Sequence, residues 1–348
     1  MVNLYSDTQT QPSAAMRRAM ANAEVGDEQR GQDPTVLALQ DEVAELLGKE
    51  AALFLPSGSM CNQVAVRLHI RPLGDEVYLH RLAHPITAEA GGAAAISGAM
   101  VMPLEGEGGM FSGATLRAHM RDPQDRHEPR SRLVTIEQTT NLGGGRVWSP
   151  GQIEEVLGVA KEFGLRTHLD GARLLNATVA SGESAATYAA GFETAWIDFS
   201  KGLGAPVGAC LAGSEELIAE AWRYKQMLGG SMRQAGFMAA AARHGLQHNV
   251  ERLADDHARA RRLAEGWEAR GVPVDRELVE TNFVQVDAAA LGFSSAEAIA
   301  RLAEAGVGLS ATVKPGVLRA VTHLDVGDDD VERAIELVSQ ALESRVSA

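Results

Sequence analysis

Cysteine is scarce in this 348-residue chain, and long apolar runs are missing. The two cysteines, Cys61 and Cys210, lie among apolar or small residues, which indicates neither a disulfide framework nor a zinc site. No apolar stretch reaches the length of a membrane-spanning helix, and the first residues lack the basic and apolar regions of a signal peptide. We therefore expect a cytoplasmic protein.

Positively charged residues are also fewer than negatively charged ones. The chain has 32 Lys and Arg residues against 46 Asp and Glu residues, and its formal net charge is −14. This balance argues against nucleic acids and anionic membranes as partners. It does not exclude an anionic cofactor, because local positive groups can bind phosphate on an acidic protein. The length is sufficient for two domains and a large buried core.

Strand-like and helix-like segments alternate along the first two thirds of the chain. Predicted strands span residues 51–55, 76–79, 100–104, 132–137, 165–169, 195–199 and 207–212, and predicted helices include 34–48 and 58–68. Helix 34–48 has an acid at its N-cap, proline at its first position and a closing glycine. The alternation is typical of an α/β fold with a mainly parallel central sheet covered by helices on both faces.

The pattern changes near residue 231, where an alanine-rich helical stretch begins that continues to about residue 269. The segment after it has the features of a small α+β domain, with strands near 282–286, 308–311 and 317–321 and helices at 295–304 and 329–344. We predict an N-terminal arm (1–12), a large domain (13–250) and a small C-terminal domain (251–348). The second boundary is indistinct in the sequence.

Two residues at the ends of predicted strands suggest a cofactor. Lys201 follows an apolar run and precedes small residues and glycines, and Asp170 ends another apolar run thirty-one residues earlier. Alone, Asp-Gly is usually a turn and Ser-Lys-Gly a solvated loop. Together they fit a pyridoxal phosphate (PLP) site, in which the lysine forms the Schiff base and the acid keeps the pyridine nitrogen protonated.

Nine short segments of the chain add to this pattern. They span residues 4–8, 25–27, 33–35, 56–59, 89–93, 170–173, 200–203, 229–234 and 319–323. In this order, over nearly the full length, they resemble the threonine aldolase / β-eliminating lyase family of fold-type-I PLP enzymes. The resemblance implies that residues 13–250 form the PLP-binding domain. It also implies a homodimer or homotetramer whose sites lie at the subunit interface, with residues 6–8 and 26–35 contributed from one chain to another.

The resemblance assigns candidate residues to the PLP phosphate. Backbone N–H groups of Gly58 and Ser59 are expected to bind it, because a helix N-terminus favours an anion. Arg233 is expected to support the phosphate, in an arrangement that can cross a subunit boundary. The alternatives are a plain strand-to-helix turn at Gly58 and an ordinary surface arginine at 233.

Further candidates face the ring and the substrate. By resemblance, His84 stacks on the pyridine ring and assists proton transfer, and it joins Lys201 and Asp170 as a catalytic residue; a solvated loop histidine is the alternative. Arg173, which also borders the cofactor, and Arg319 are expected to hold the substrate α-carboxylate, with Ser6 beside them. A guanidinium group suits this task because it can pair with both carboxylate oxygens.

The resemblance implies cleavage of the Cα–Cβ bond of β-hydroxy-α-amino acids of the threonine or allo-threonine type, giving glycine and an aldehyde. One alternative keeps the fold and PLP but performs β-elimination, racemisation or transfer of glycine to another aldehyde. Another is a PLP-binding protein with little catalysis. A nicotinamide dehydrogenase is disfavoured, because no G-x-G-x-x-G follows a strand near the N-terminus.

Two positions depart from the family pattern. Arg30 stands where a tyrosine is usual, and Thr140 replaces the histidine thought to meet the substrate hydroxyl. Threonine still forms hydrogen bonds, but it is shorter than histidine and does not titrate near neutral pH. Either these are tolerated substitutions, or they mark a changed β-substituent pocket in which Arg30 faces an acidic or larger group.

Overall fold

The computed structural model describes residues 1–71 and 74–343. The helices are Ala14–Ala21 (α1), Pro34–Leu47 (α2), Gly58–His69 (α3), His84–Thr87 (α4), Gly92–Ser97 (α5), Gly113–Ala118 (α6), Pro150–Glu162 (α7), Leu174–Ser181 (α8), Ala185–Ala189 (α9), Glu215–Met227 (α10), Gly236–His248 (α11), Leu253–Glu268 (α12), Ser295–Glu304 (α13) and Asp328–Ala341 (α14). The predicted last helix reached residue 344, which lies outside the described residues. Within those residues, no helix combines the length and the apolar character needed to cross a membrane.

The strands form one large sheet and two small ones. They are Val2–Asn3 (β1), Ala51–Leu55 (β2), Glu76–His80 (β3), Met100–Leu104 (β4), Ser131–Glu137 (β5), Arg166–Asp170 (β6), Thr194–Asp198 (β7), Ala209–Gly213 (β8), Phe283–Asp287 (β9), Val307–Gly308 (β10), Ser310–Ala311 (β11) and Val317–Val321 (β12). All seven strands predicted for the large domain are present, with ends shifted by no more than two residues.

The large sheet has the order β2-β8-β7-β6-β5-β3-β4. Strands β4, β3, β5, β6 and β7 run parallel to one another, and β8 runs antiparallel to both β7 and β2. The predicted mainly parallel sheet is therefore confirmed. Glu137 pairs with Asp170 at the ends of β5 and β6. Since β7 is parallel to β6, its last residue, Asp198, lies at the same edge of the sheet.

Helices cover both faces of this sheet. On β2, Phe54 packs into a core cluster with residues of α2 and α11, whereas Leu53 and Leu55 pack into another with residues of α3 and α10. This alternation follows from the two-residue period of a strand. The start of α2 is as predicted, because the Asp33 side chain accepts the Val36 N–H at 3.1 Å.

The helical stretch predicted from about residue 231 to about residue 269 is divided into two helices. The structure has α11 and α12, separated by residues 249–252. Asn249 ends α11, and its side-chain amide donates to the Leu203 carbonyl at 2.8 Å, a long-range contact that local helical propensity does not reveal.

The C-terminal part carries an antiparallel sheet with the order β11-β12-β9. The first residues of the chain lie against this C-terminal part: β1 and β10 form a separate parallel two-stranded sheet, and Val2 and Leu4 pack in a core cluster with residues from 260 to 342. The chain therefore starts against the C-terminal part and then continues to the large sheet. The division into an arm and two domains stays a prediction.

Candidate functional site

Lys201 lies in the turn that follows β7. Its Nζ atom donates a hydrogen bond to Asp198 Oδ2 at 2.6 Å and lies 5.7 Å from the centre of the Trp196 ring. The other oxygen, Asp198 Oδ1, accepts the backbone N–H and the hydroxyl of Ser200, each at 2.6 Å. The sequence analysis missed Asp198. An acid three residues before the lysine, at the end of a predicted strand, was the available signal.

Asp170 ends β6 and is buried. Its Oδ2 accepts the side-chain amide of Asn62 at 2.7 Å, and its Oδ1 accepts the N–H of Ala172 at 3.0 Å. Burial raises the pKa of the Asp170 carboxyl, and the hydrogen bond from Asn62 only partly opposes this effect. A positive partner, such as a protonated pyridine nitrogen, would relieve that cost.

His84 is connected to Asp170 through two residues that the analysis gave no role. Its Nδ1 lies 2.8 Å from Glu89 Oε1, and the same oxygen accepts the Asn62 amide at 2.8 Å. Burial lowers the pKa of the His84 imidazole, but the Glu89 hydrogen bond and nearby carboxylates outweigh it, and the pKa is raised. With Nδ1 engaged, Nε2 is the ring nitrogen left to exchange a proton with a substrate.

Gly58 and Ser59 form the first turn of α3, directly after β2. The N–H groups of a first turn have no partners inside the helix and point toward any bound anion. A side chain at position 58 is excluded, because an added Cβ would lie 2.3 Å from the Trp196 ring. Trp196 is itself fixed by donating from Nε1 to Asn62 Oδ1 at 2.8 Å. The indole thus lies between the start of α3 and Lys201.

Arg233 does not join this group within the single chain. Its side chain is 61% exposed, its guanidinium pairs with Asp27 at 3.0 Å, and its carbonyl accepts the Glu28 N–H. The pairing connects two segments that the sequence analysis linked to a subunit interface. A phosphate contact by Arg233 therefore stays a prediction.

Arg173 and Arg319, the two candidate ligands of the substrate carboxylate, differ in the charge of their hydrogen-bond partners. Arg173 forms a two-bond pair with Asp7, from Nε at 2.7 Å and from Nη2 at 2.6 Å, and both side chains are buried. Arg319 donates from Nη1 to Asn141 at 2.7 Å and from Nε to Ser310 at 3.2 Å. In the part of the chain that the structure describes, both hydrogen-bond partners of Arg319 are thus neutral, and its charge stays available to an anion.

Residues around the two arginines hold them close together. The guanidinium carbons of Arg173 and Arg319 lie 4.8 and 5.1 Å from the centre of the Phe283 ring. Ser6 is buried next to Asp7, and its hydroxyl oxygen accepts the Thr8 hydroxyl at 2.9 Å. The strand β9, which carries Phe283, brings the C-terminal part to this edge of the large sheet.

Thr140 and Arg30 lie in other surroundings. Thr140 is completely buried; its hydroxyl oxygen accepts the Arg146 N–H at 3.1 Å, and an added Cβ on Gly109 would lie 2.8 Å from its Cβ. Arg30 is 74% exposed, and Asp27 lies 3.9 Å from its Nε. Thr140 is thus engaged inside its own loop, and Arg30 points to the surface of the single chain.

Glu137 is a further acid that the sequence analysis missed. It ends β5, is buried, and accepts the Asn141 N–H at Oε2 at 3.1 Å. Burial and the charge of Asp170 raise the pKa of Glu137 to about 7. The signal was the same as for Asp170, an acid at the end of an apolar strand.

The raised pKa of Glu137 predicts a dependence of stability on pH. Because the pKa is raised above the ordinary value of 4.5, the stability it contributes is present at low pH and is lost as the pH rises through about 7. In cofactor-free protein, Glu137→Gln should therefore unfold at a higher temperature than the wild type, by a margin that grows from about pH 5 to about pH 8. Thermal unfolding across this range measures it.

The exposed Glu154 offers the matched control. We expect Glu154→Gln to differ from the wild type by a small amount that does not change with pH. A margin for Glu137→Gln that is equally independent of pH would show that the wild-type carboxyl does not titrate in this range.

Comparison with known proteins places the chain in a family. A family model described as "Beta-eliminating lyase" matches residues 3–289. Low-specificity L-threonine aldolase 1 of Arabidopsis thaliana is 38% identical, and the match covers 98% of this chain and 96% of the relative. The low specificity L-threonine aldolase of Escherichia coli K12 is 39% identical, with 95% of this chain and 96% of the relative covered.

A solved structure supports the same fold. The threonine aldolase of Leishmania major matches with a TM-score of 0.83 and 21% identity, covering 98% of this chain and 99% of that structure. This likeness confirms the predicted fold-type-I architecture. With the full-length sequence similarities, it leads to one conclusion: the chain belongs to the beta-eliminating lyase family of PLP-dependent enzymes and is a threonine aldolase-like lyase.

Proposed function

We propose that the protein binds PLP through Lys201 and cleaves β-hydroxy-α-amino acids of the threonine type into glycine and an aldehyde. The observation that carries the proposal is the grouping of Lys201, Asp170 and the start of α3 around Trp196 and Asn62. The similarity to low-specificity L-threonine aldolases over nearly the full chain supports this reaction.

The residues present fit PLP. Gly58 and Asn62 are one turn apart on α3, a rise of about 6 Å. The helix start offers N–H donors for a phosphate, and Asn62 holds Asp170 where an acid is needed for the pyridine nitrogen. A single helix therefore connects the anion-binding end and the acidic end of the site.

When bound, PLP supplies a ring that accepts the electron pair released as a bond to Cα breaks. The protein decides which bond breaks by fixing the substrate. Arg319 would hold the α-carboxylate, and Arg173, fixed by Asp7, would position one side of the same site. His84, held by Glu89, would take the proton of the β-hydroxyl at Nε2. Loss of that proton favours cleavage of the Cα–Cβ bond.

The contacts of Thr140 and Arg30 support a β-hydroxy-α-amino acid of the threonine type as the substrate. Thr140 is engaged with Arg146 and packed toward Gly109, and Arg30 is exposed beside Asp27. These contacts favour the interpretation of both residues as tolerated substitutions. A changed pocket would require one of these residues to face the site of a neighbouring subunit.

The test is product analysis with purified, PLP-loaded protein. We expect L-threonine and L-allo-threonine to give equal amounts of glycine and acetaldehyde, measured by chromatography and a coupled aldehyde assay. β-Chloroalanine tests β-elimination through pyruvate release, and L-alanine tests racemisation by chiral analysis. Rapid turnover of either, with no glycine from threonine, would replace the aldolase by one of those reactions. No turnover of any substrate would leave a PLP-binding protein.

The proposal includes assembly as a homodimer or a tetramer of two dimers. Its support is the exposed pairing of Arg233 with Asp27, which leaves the arginine at the surface of the chain although the family pattern gives it a phosphate. In this arrangement Arg233 of one subunit would complete the site of the other.

A further inference from the structure

We propose that Asp198 is a positioning residue that holds the amino group of Lys201 whenever this lysine is not bonded to the cofactor. By stabilising the released lysine, Asp198 makes its displacement by an amino acid easier. The inference rests on the proposed function, since it requires PLP to be attached at Lys201.

The geometry indicates a prepared acceptor. Asp198 Oδ2 lies 2.6 Å from Lys201 Nζ, while Oδ1 is fixed by two hydrogen bonds from Ser200. One carboxylate oxygen therefore orients the group, and the other is left for the lysine. The side chains of Asp198 and Lys201 are only 6% and 16% exposed, so water screens the pair weakly.

Two charged groups that act on Lys201 or Asp198 are already paired with each other. Asp7 acts electrostatically on Lys201, but both of its oxygens accept hydrogen bonds from Arg173. Arg173 in turn acts on Asp198, again with its charge balanced by Asp7. Cys61 of α3 also lies within electrostatic reach of Asp198, but it is a buried thiol whose pKa is raised by burial, so it carries no charge. Within residues 1–71 and 74–343, Asp198 is thus the acid that holds the lysine amine.

Attachment of the cofactor removes this interaction. The lysine ammonium group has three N–H donors. It first gives one proton to solvent. Its nitrogen then forms a C=N bond to the aldehyde carbon, and the aldehyde oxygen leaves as water with the two remaining hydrogens. The bonded nitrogen would carry at most one N–H, so the ammonium group that Asp198 holds would be lost.

An interaction present only in the released state shifts two equilibria in opposite directions. It opposes attachment of PLP to Lys201, and it favours replacement of the lysine by the amino group of an amino acid. Asp198→Asn, which has the same size and can still accept from Ser200, should therefore bind PLP more tightly and glycine more weakly. A charge-assisted hydrogen bond predicts a change of about 10- to 100-fold in each dissociation constant.

The experiment measures both constants on the full-length protein. Cofactor-free protein is titrated with PLP, and PLP-loaded protein with glycine, each followed by absorbance in the near-visible. Asp198→Glu, which retains the charge, should move both constants back toward the wild type. Ser200→Ala, which removes one of the two hydrogen bonds to Oδ1 but keeps the carboxylate, should give smaller shifts of the same signs. If Asp198→Asn does not fold, Asp198→Ser provides the same comparison.

The possible results distinguish failure of the Asp198 inference from failure of the proposed function. Opposite shifts with rescue by glutamate support it. Weaker binding of both ligands would indicate only a structural role for Asp198, and unchanged constants would show that it does not hold the released lysine; either result overturns the inference. If the wild type binds no PLP, or if Lys201→Ala shows the same attachment, the proposed function itself fails.

Discussion

Lys201→Ala is expected to lose the near-visible absorbance of lysine-bound PLP and to reduce aldol cleavage by more than about 10³-fold. Two other lysines of the described chain already have partners. Lys225 is buried but pairs with Glu28 and donates to the Phe54 carbonyl, and Lys49 donates to the carbonyls of Ala189 and Phe192. Absorbance spectra and turnover of L-threonine measure the two effects.

The exposed Lys161 on α7 serves as the control. Lys161→Ala should keep both the absorbance band and the activity of the wild type, which would show that the loss is specific to position 201. An unchanged band in Lys201→Ala would assign the covalent attachment to another lysine and would remove the basis of the proposed site.

The parts of this site that the sequence predicts are those with a local pattern. Lys201 and Asp170 each follow a buried strand, and the carboxyl ends of parallel strands meet at one edge of a sheet. Gly58 follows the same logic, as the first residue of a helix behind a strand. The ends of these strands and the start of this helix are set by nearest-neighbour signals, so their positions were predicted within two residues.

Residues whose roles depend on tertiary contacts were not predictable in this way. Asn62 is one polar residue on a buried helix, and nothing in its neighbours shows that it bonds to Asp170 and Glu89 and accepts from Trp196. Its partners come from three distant segments of the chain. Asp198 had a visible spacing to Lys201, but an acid three residues from a lysine is equally common on solvated surfaces.

Thr140 is the opposite case: the sequence indicated a functional difference at this position, and the structure gives the residue contacts within its own loop. The exchange of histidine for threonine suggested a changed pocket. Instead, the hydroxyl accepts the Arg146 N–H within the loop, and Gly109 leaves the space that the side chain fills. Whether a substituted residue faces a ligand depends on the path of its loop, which short motifs do not specify.

Arg319→Gln and Arg173→Gln are expected to fail in different ways, although the sequence analysis treated the two arginines as a pair. Arg319 has neutral partners, so its loss should leave folding nearly unchanged. It should lower kcat/KM for L-threonine by about 10- to 150-fold, the value of a charge-assisted hydrogen bond to the carboxylate. Thermal unfolding and steady-state kinetics on the same preparations measure both effects.

Arg173→Gln should mainly lower stability. Burial raises the pKa of the Asp7 carboxyl, but the charge and hydrogen bonds of Arg173 outweigh it and keep the pKa well below its usual range. Without Arg173, a buried carboxylate loses its partner, at a cost of about 3–5 kcal/mol. The stabilising effect of Asp7 in the wild type is present above its ordinary pKa of 3.8 and is lost only in strong acid, so the variant should be weakened throughout the neutral range.

The double variant Asp7→Asn with Arg173→Gln decides between the two roles. If the stability loss comes from the unpaired carboxylate, removing that charge should recover much of the unfolding temperature, because the two residues act as one unit. If activity stays low while stability is recovered, Arg173 itself contacts the substrate. Equal stability of the wild type and Arg173→Gln would contradict the buried pair, and an unaffected kcat/KM in Arg319→Gln would contradict its role as carboxylate ligand.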